Sequence, residues 1–373
     1  MIPQALVSFV VKMLTQNRDC LTHMTRRAAG VSRPGLFLTL GALAAVMFAG
    51  GEASISRTAF VIATGPTGGT YFPVGEAIAS ILSHPPGVYR CEKADVCGPS
   101  GLIASVRTSP GAVFNVLAVN ARTVDAALAQ SDVVADAVAG RAAFRTAGAQ
   151  THVRVLANLF PEDVHLLAMP AAHIKSAGDL KGKRVSLGPS TSGTAVTARE
   201  VLAAFHVPLS RIRQNGDSAD IAAEKLSRQE LDAMFFVGGA PVPLARELLE
   251  SGKAVLVPIG GSAGARALKQ SHALTASIIP AGLYPRTGAT QTVGVHAVLI
   301  VNDSISDATA YAILKSLFNP ANRNALTGSH RSAQVIRIGT ATADLPAPLH
   351  PGALRFYRAL GVLHATEAKS GKT

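Results

Sequence analysis

A chain of 373 residues with 48% hydrophobic and 16% charged positions holds enough apolar material for two ordinary domains and too much for a disordered polymer. No Trp and only five Tyr argue against sites built on aromatic stacking, such as those for sugars or single-stranded nucleic acid. The net charge of +12 is scattered rather than clustered, so no nucleic-acid stripe is expected, and a basic body suits a small anion or an anionic surface equally well.

Near the N-terminus, Arg26-Arg27 and Arg33 precede the apolar run Leu36–Phe48, and small residues follow through Ala53. That order is the order of a secretory signal. The apolar run is about 13 residues, short of the roughly 20 needed to span a bilayer. Residues 24–53 are therefore read as a signal peptide cleaved near Ala53, with an uncleaved anchor as the alternative. Residues 1–23 are read as an upstream extension, with translation starting at Met24. Twin-arginine export ranks second, because Ala28-Ala29 follow the pair. Export to an oxidising compartment would leave Cys91 and Cys97 bridged, and two free thiols are the alternative. Cys20 falls in the extension.

Phe60-Val61-Ile62 reads as a buried strand, and Gly65-Pro-Thr-Gly-Gly-Thr-Tyr71 as the loop that ends it. A helix follows with Pro73 in its first turn and Val74, Ala77, Ile78, Ile81 and Leu82 on one face. Such a loop at a helix N-terminus offers free N–H groups and a positive dipole end, which suit an anion. A plain strand-to-helix turn is the bland alternative. A strand and a second helix are expected between Ser100 and Ala121. The next strand, Ala126–Ala129, ends at Gln130-Ser131-Asp132, with Ser131 as the N-cap of the helix that Gly140 terminates. Gln130 then lies at the carboxyl edge of a strand, where open α/β sheets bind ligands.

Val153–Ala157 and His165–Met169 read as two extended runs separated by Leu159–Asp163. The strand Arg184–Leu187, the loop Gly188–Thr194 with Ser190, Thr191, Ser192 and Thr194, and a helix carrying Ala198, Val201, Leu202 and Phe205 then repeat the opening unit. The two units lie roughly 120 residues apart, as two lobes facing one cleft would require. A helix through Ile221–Leu226, a strand Leu231–Val237 broken at Gly238-Gly239, a helix Leu244–Leu249, a strand Ala254–Val257 and a helix near 263–270 continue the chain. Ile278–Tyr284 reads as a loop. Thr292–Val301 is an extended run long enough to cross between lobes. A helix capped by Ser306 and another from Pro351 to Gly361 close the fold, and 366–373 form a polar tail.

The histidines show no helical metal spacing, the serines no Gly-x-Ser-x-Gly elbow, and neither Gly-rich loop the Lys of a nucleotide-binding loop. No metal and no cofactor are expected, and binding without chemistry is favoured.

The ordered set Thr67-Gly-Gly-Thr-Tyr-Phe-Pro73, Gln130-Ser-Asp132, Leu159-Phe-Pro-Glu162, Asp179–Ser186, Ser192-Gly-Thr194, Asp232–Phe236 and Ile279–Tyr284 resembles the TAXI-type solute-binding receptors of TRAP transporters. The resemblance implies a two-lobed α/β fold of the type II periplasmic binding protein kind, with extended hinge segments. It implies a periplasmic receptor that takes a small organic solute and hands it to the membrane subunits of a TRAP permease; the helix N-termini point to a small organic anion, a dicarboxylate or an acidic amino acid, as that solute, and a monomer is expected. Lobe 1 would comprise 54–168 and 293–373, and lobe 2 would comprise 169–292. The expected cleft residues are Thr67, Gly68, Gly69, Thr70, Tyr71, Arg107, Gln130, Ser131, Glu162, Ser190, Thr191, Ser192, Gly193, Thr194 and Gly238. Glu162 would receive a ligand ammonium group if the solute is an amino acid, or act as a hinge acceptor otherwise. Ala112 stands where the family usually has Ser, so a hydroxyl is missing there. The alternatives are an exported hydrolase with Ser192 or Thr194 as nucleophile, and a receptor that signals to a membrane sensor.

Overall fold

The computed structural model describes residues 57–270 and 274–363. The expected signal peptide, the upstream extension and the polar tail at 366–373 lie outside them. β1 (Thr58–Ala63) turns Phe60 and Ile62 into one core and Val61 and Ala63 into another, as a strand covered on both faces must. It pairs in parallel with β2 (Leu102–Arg107) and β3 (Ala126–Gln130). The helices α1 (Tyr71–Leu82), α2 (Ala112–Asn120) and α3 (Ser131–Val138) follow these strands in turn. α1 buries Val74, Ile78, Ile81 and Leu82, the face its apolar spacing predicts, and Pro73 sits in its first turn, where the missing N–H has no partner to lose.

In the second half, β5 (Arg184–Ser186), β6 (Arg213–Asn215) and β7 (Ala233–Gly238) form a second parallel set, with α4 (Gly193–Ala204), α5 (Ala219–Ser227) and α6 (Pro243–Glu250) between and after them. Both sets belong to one sheet, ordered β2-β1-β3-β10-β4-β7-β5-β6. Its spine is the antiparallel pair β4 (Val153–Ala168) and β10 (Thr290–Asn302). Leu156, Leu159 and Phe160 of β4 pack with Leu299 and Val301 of β10 in the core around α1. Val164, Leu166 and Ala168 pack with Val293 and Val295 in the core around α4. The protein is thus a two-lobed α/β fold in which two long strands run through both lobes. Deleting a fully buried side chain from either core, Leu128 or Leu166 for example, would cost about 2–5 kcal/mol.

Three local expectations are corrected. Leu159–Asp163 does not interrupt β4, although Pro161 reads as a break. β4 keeps β10 along one edge from Val153 to Asp163, past Pro161, while its other edge has no strand until Asp163 meets Gly238 of β7, so Pro161 withholds an N–H where no sheet partner waits. Ser131 is not the N-cap of α3 but its first residue. Gln130 occupies the cap, and Ser131 Oγ instead accepts the His296 N–H from β10 at 3.1 Å. Ile278–Tyr284 begins inside a strand, because β9 (Thr275–Ile279) finds β10 as an antiparallel partner. β8 (Val255–Val257) adds to β4, and α7 (Gly261–Gln270), α8 (Asp307–Leu317), α9 (Arg323–Ser329) and α10 (Pro351–Ala359) complete the cover. Ser306 caps α8 as expected, its Oγ accepting the Thr309 N–H at 3.0 Å. Among the described residues no helix is long and apolar enough to cross a membrane.

Candidate functional site

The carboxyl ends of β1 and β3 face those of β5 and β7 across a cleft, and the helices that follow begin there. Each helix start has a local reason. Ser192 caps α4, its Oγ accepting the Ala195 N–H at 3.1 Å and donating to Pro189 O at 2.7 Å. Gly111 precedes α2 with φ of 130°, a conformation L side chains rarely adopt, and a Cβ there would stand 3.1 Å from Ser192 Cα. Phe114 N, in the first turn of α2, donates to Thr191 O at 3.0 Å, so α2 meets the loop of the other lobe at this point. On the opposite rim, Thr70 Oγ1 donates to Gly239 O at 3.0 Å. The lobes are closed on one another.

Between these contacts lies a cavity holding about 80 Å³ of space that water can enter. Each lobe contributes backbone and hydroxyl groups, and Met234–Val237 supply an apolar wall. Two buried polar clusters flank it. In the first, Tyr71 Oη donates to Glu162 Oε2 at 2.6 Å, with Tyr71 set edge-on to Phe160. Glu162 is 1% exposed, and burial pushes its carboxyl up to about 8, the Tyr71 hydrogen bond offsetting only part of that rise. Burial raises the Tyr71 hydroxyl too, so it stays a donor. In the second cluster, Thr197 Oγ1 donates to Asp132 Oδ2 at 2.9 Å, and Gln130 Nε2 donates to Thr197 Oγ1 at 3.3 Å. Asp132 is pushed up to about 7, by burial first and by the charge of Glu200 second. Both bonds join β3 and α3 of one lobe to α4 of the other.

Of the residues expected from sequence, Gly69, Thr70, Tyr71, Gln130, Glu162, Ser192, Gly193 and Thr194 line this one cavity. Thr67 and Ser190 are exposed outside it, and Gly68 packs toward Asp220 of the other lobe. Arg107 is exposed at the end of β2, where its carbonyl accepts from Thr64. Ser131 is occupied with His296, Thr191 with Phe114, and Gly238 with the β4 pairing. Ser186, Ser218 and Ser109 to Gly111 also line the cavity without having been singled out, as do Ala112, noted for its missing hydroxyl, and the Met234–Val237 wall, most of it in the Asp232–Phe236 motif, neither of which was named as a cleft residue. The strand–loop–helix pattern that marked the two main loops could have flagged Ser186 and Ser218, each just before or within a loop of that kind. Thr197 sits mid-helix on a buried face and carries no such signal. Cys91 and Cys97 form a disulfide, with Cα atoms 5.2 Å apart.

A family model, that of the NMT1-like family, matches residues 62–361. The chain belongs to the NMT1-like family. Among solved structures, this NMT1-like chain is similar to MatC from Rhodopseudomonas palustris with bound malate, at 14% identity over 82% of this chain and 99% of that one, with a TM-score of 0.48. It is also similar to the periplasmic aliphatic sulphonate binding protein SsuA from Escherichia coli, at 14% identity over 74% and 75% of the two chains and a TM-score of 0.39. A third is an ancestral arginine-binding protein bound to arginine, at 14% identity over 73% and 98% and a TM-score of 0.43. At this distance none of them assigns a ligand to this NMT1-like protein.

Proposed function

We propose that this protein is a periplasmic solute receptor, monomeric and of the TAXI type, that captures a small organic anion by closing its lobes and delivers it to the membrane subunits of a TRAP permease. The observation that supports this reading is the convergence of both lobes on one small cavity. α4 opens toward it with a capped N-terminus whose first N–H groups are free of helix partners by construction. Such a site holds a carboxylate by charge-assisted backbone hydrogen bonds without any arginine. A dicarboxylate and an acidic amino acid both fit this description. Closure would then be driven by the difference in ligand affinity between the open and closed states.

The hydrolase alternative is weaker. Ser192 Oγ is spent on its cap, and Thr194 Oγ1 accepts the Val237 N–H at 3.2 Å. Among the described residues lining the cavity there is no His or Lys to serve as a base. A sensor-coupled receptor would use the same cleft and differ only in partner. The deciding experiment is mass spectrometry of the protein purified under native conditions, followed by release of the ligand. An intact small carboxylate, recovered unchanged after incubation, supports the receptor. A hydrolysed product accumulating with time would reject it.

A further inference from the structure

We propose that the closed protein carries a proton between its lobes, on the carboxyl of Asp132, so that the lobes close in acid and part in alkali with no solute present. This goes beyond the receptor reading. Its test uses no ligand, so either can fail while the other stands.

The contact is built from two consecutive residues of α4. Val196 joins the apolar cluster of the other lobe that holds Val133, Val134 and Ala137 of α3. Thr197, wholly buried, brings one hydroxyl to three partners: Gln130 Nε2 at 3.3 Å, Asp132 Oδ2 at 2.9 Å and Gly193 O at 3.2 Å. Asp132 is 3% exposed, and its other oxygen accepts the Val133 N–H at 2.8 Å.

A hydroxyl has one proton and two lone pairs. With Asp132 ionised, the Thr197 proton must serve the carboxylate, Gln130 fills one lone pair and the other stays empty. A buried charge is then held by two neutral donors. With Asp132 protonated, its own O–H donates to Thr197 and the Thr197 proton turns to Gly193 O. Gln130 fills the second lone pair. The hydroxyl is then fully used and no charge is buried. Opening the lobes withdraws Val196 and Thr197 together, which exposes Asp132 to water and removes the reason to hold its proton.

The charged groups around Asp132 agree. Glu200, three residues beyond Thr197 on α4, acts on it as a like charge, and so does Asp136 of α3, itself 3.3 Å from Arg141. Across the cavity, Asp132 is felt by Glu162 of β4 and Tyr71 of α1. On β10, His296 gives its N–H to Ser131, and burial lowers the titration of its ring. α2 and β3 carry no titratable side chain. Arg199 of α4 is exposed and donates to Ala195 O, and Arg145, after the 3₁₀ turn Ala142–Phe144, is exposed as well. No cation is among the groups that act on the carboxyl.

Small-angle scattering of the protein, freed of small molecules by dialysis, would be recorded at pH 5, 6, 7 and 8. Asp132 titrates at about 7 in the closed form and near its ordinary value of about 4 once open to water, so closure takes up a proton between those limits. The contribution is fully present below about pH 4 and is lost as pH rises through 7. The closed-to-open ratio should fall about a hundredfold from pH 5 to pH 8, read as expansion of the particle. An Asn amide donates to Thr197 as the protonated acid does, so Asp132→Asn should stay compact at pH 8. Thr197→Val keeps the volume but removes the hydroxyl, and should be less compact than the parent at pH 5. Thr197→Ser should restore both the compaction and its pH profile, and this pair serves if Asp132→Asn fails to fold. A parent equally compact at pH 5 and pH 8 overturns the proposal. So does an Asp132→Asn variant that expands as the parent does, or a Thr197→Val variant as compact as the parent at pH 5.

Discussion

Gly193 at the start of α4 and Gln130 at the end of β3 come from opposite lobes and compete for one volume: a Cβ on Gly193 would stand 1.5 Å from Gln130 Oε1 and 2.4 Å from its Cδ. Closure in this geometry requires residue 193 to have no side chain. Gly193→Ala should force Gln130 off Thr197, at a cost of about 1 kcal/mol for the lost hydrogen bond, or hold the lobes apart. Small-angle scattering should find the single variant expanded under conditions that compact the parent. Adding Gln130→Ala removes the overlap, so the double variant should recover part of the compaction, a non-additive result that independent sites would not give.

Stability should fall with rising pH across the range set by two buried acids. Asp132 titrates at about 7 and Glu162 at about 8 in the fold, both above their ordinary values near 4 in an unfolded chain. The native protein therefore holds protons that the unfolded chain has already released. The stabilisation is fully present below about pH 4 and is lost as pH rises through 7 and 8. His165, buried and lowered, works in the opposite sense near its ordinary value, so the comparison must be made between variants. In urea titrations at pH 5 and pH 8, Glu162→Gln and Asp132→Asn should each lose less stability than the parent, by on the order of 2 kcal/mol. A variant that loses as much as the parent would mean its carboxyl is ionised in the fold.

Cys91–Cys97 closes a loop with a sequence separation of 6, so its contribution to stability is bounded at about 2–3 kcal/mol. Alkylation of the unreduced exported protein should label neither cysteine. Reduction should lower the unfolding midpoint modestly without abolishing the fold, because Cys97, though buried, belongs to none of the large apolar clusters that hold the lobes together. Ready labelling of both positions would remove the bridge and with it part of the case for export.

Tyr284 is fully buried, its Oη accepting the Val242 N–H at 2.7 Å and meeting His165 Nε2 at 2.8 Å. His165 Nδ1 lies 2.9 Å from Asp163 O and donates there, so Nε2 is the acceptor and Tyr284 the donor. Tyr284→Phe keeps the volume but strands a buried N–H and a buried ring nitrogen. It should cost about 2–4 kcal/mol, read as a lower urea midpoint at unchanged slope. A midpoint equal to the parent's would show that water replaces the hydroxyl.

The strand–loop–helix units at 58–82 and 184–204 were legible from the chain alone, because hydrophobic period and Gly/Pro punctuation act over a few residues. So was the long run Thr292–Val301, whose length without a turn signal announced a strand running through both lobes. Local pattern failed where pairing decided. Pro161 reads as a break, yet β4 continues because the missing N–H faces an edge without a strand. Ser131 looks like a cap, yet β10 claims its hydroxyl. The site divides in the same way. Thr70, Gln130 and Ser192–Thr194 follow from their places at strand and helix ends. The meeting of Tyr71 with Glu162, 91 residues apart, does not. Nor does the titration of Glu162 and Asp132, since a carboxyl's desolvation comes from everything that closes over it, and those neighbours arrive from distant parts of the chain only when both lobes fold and meet.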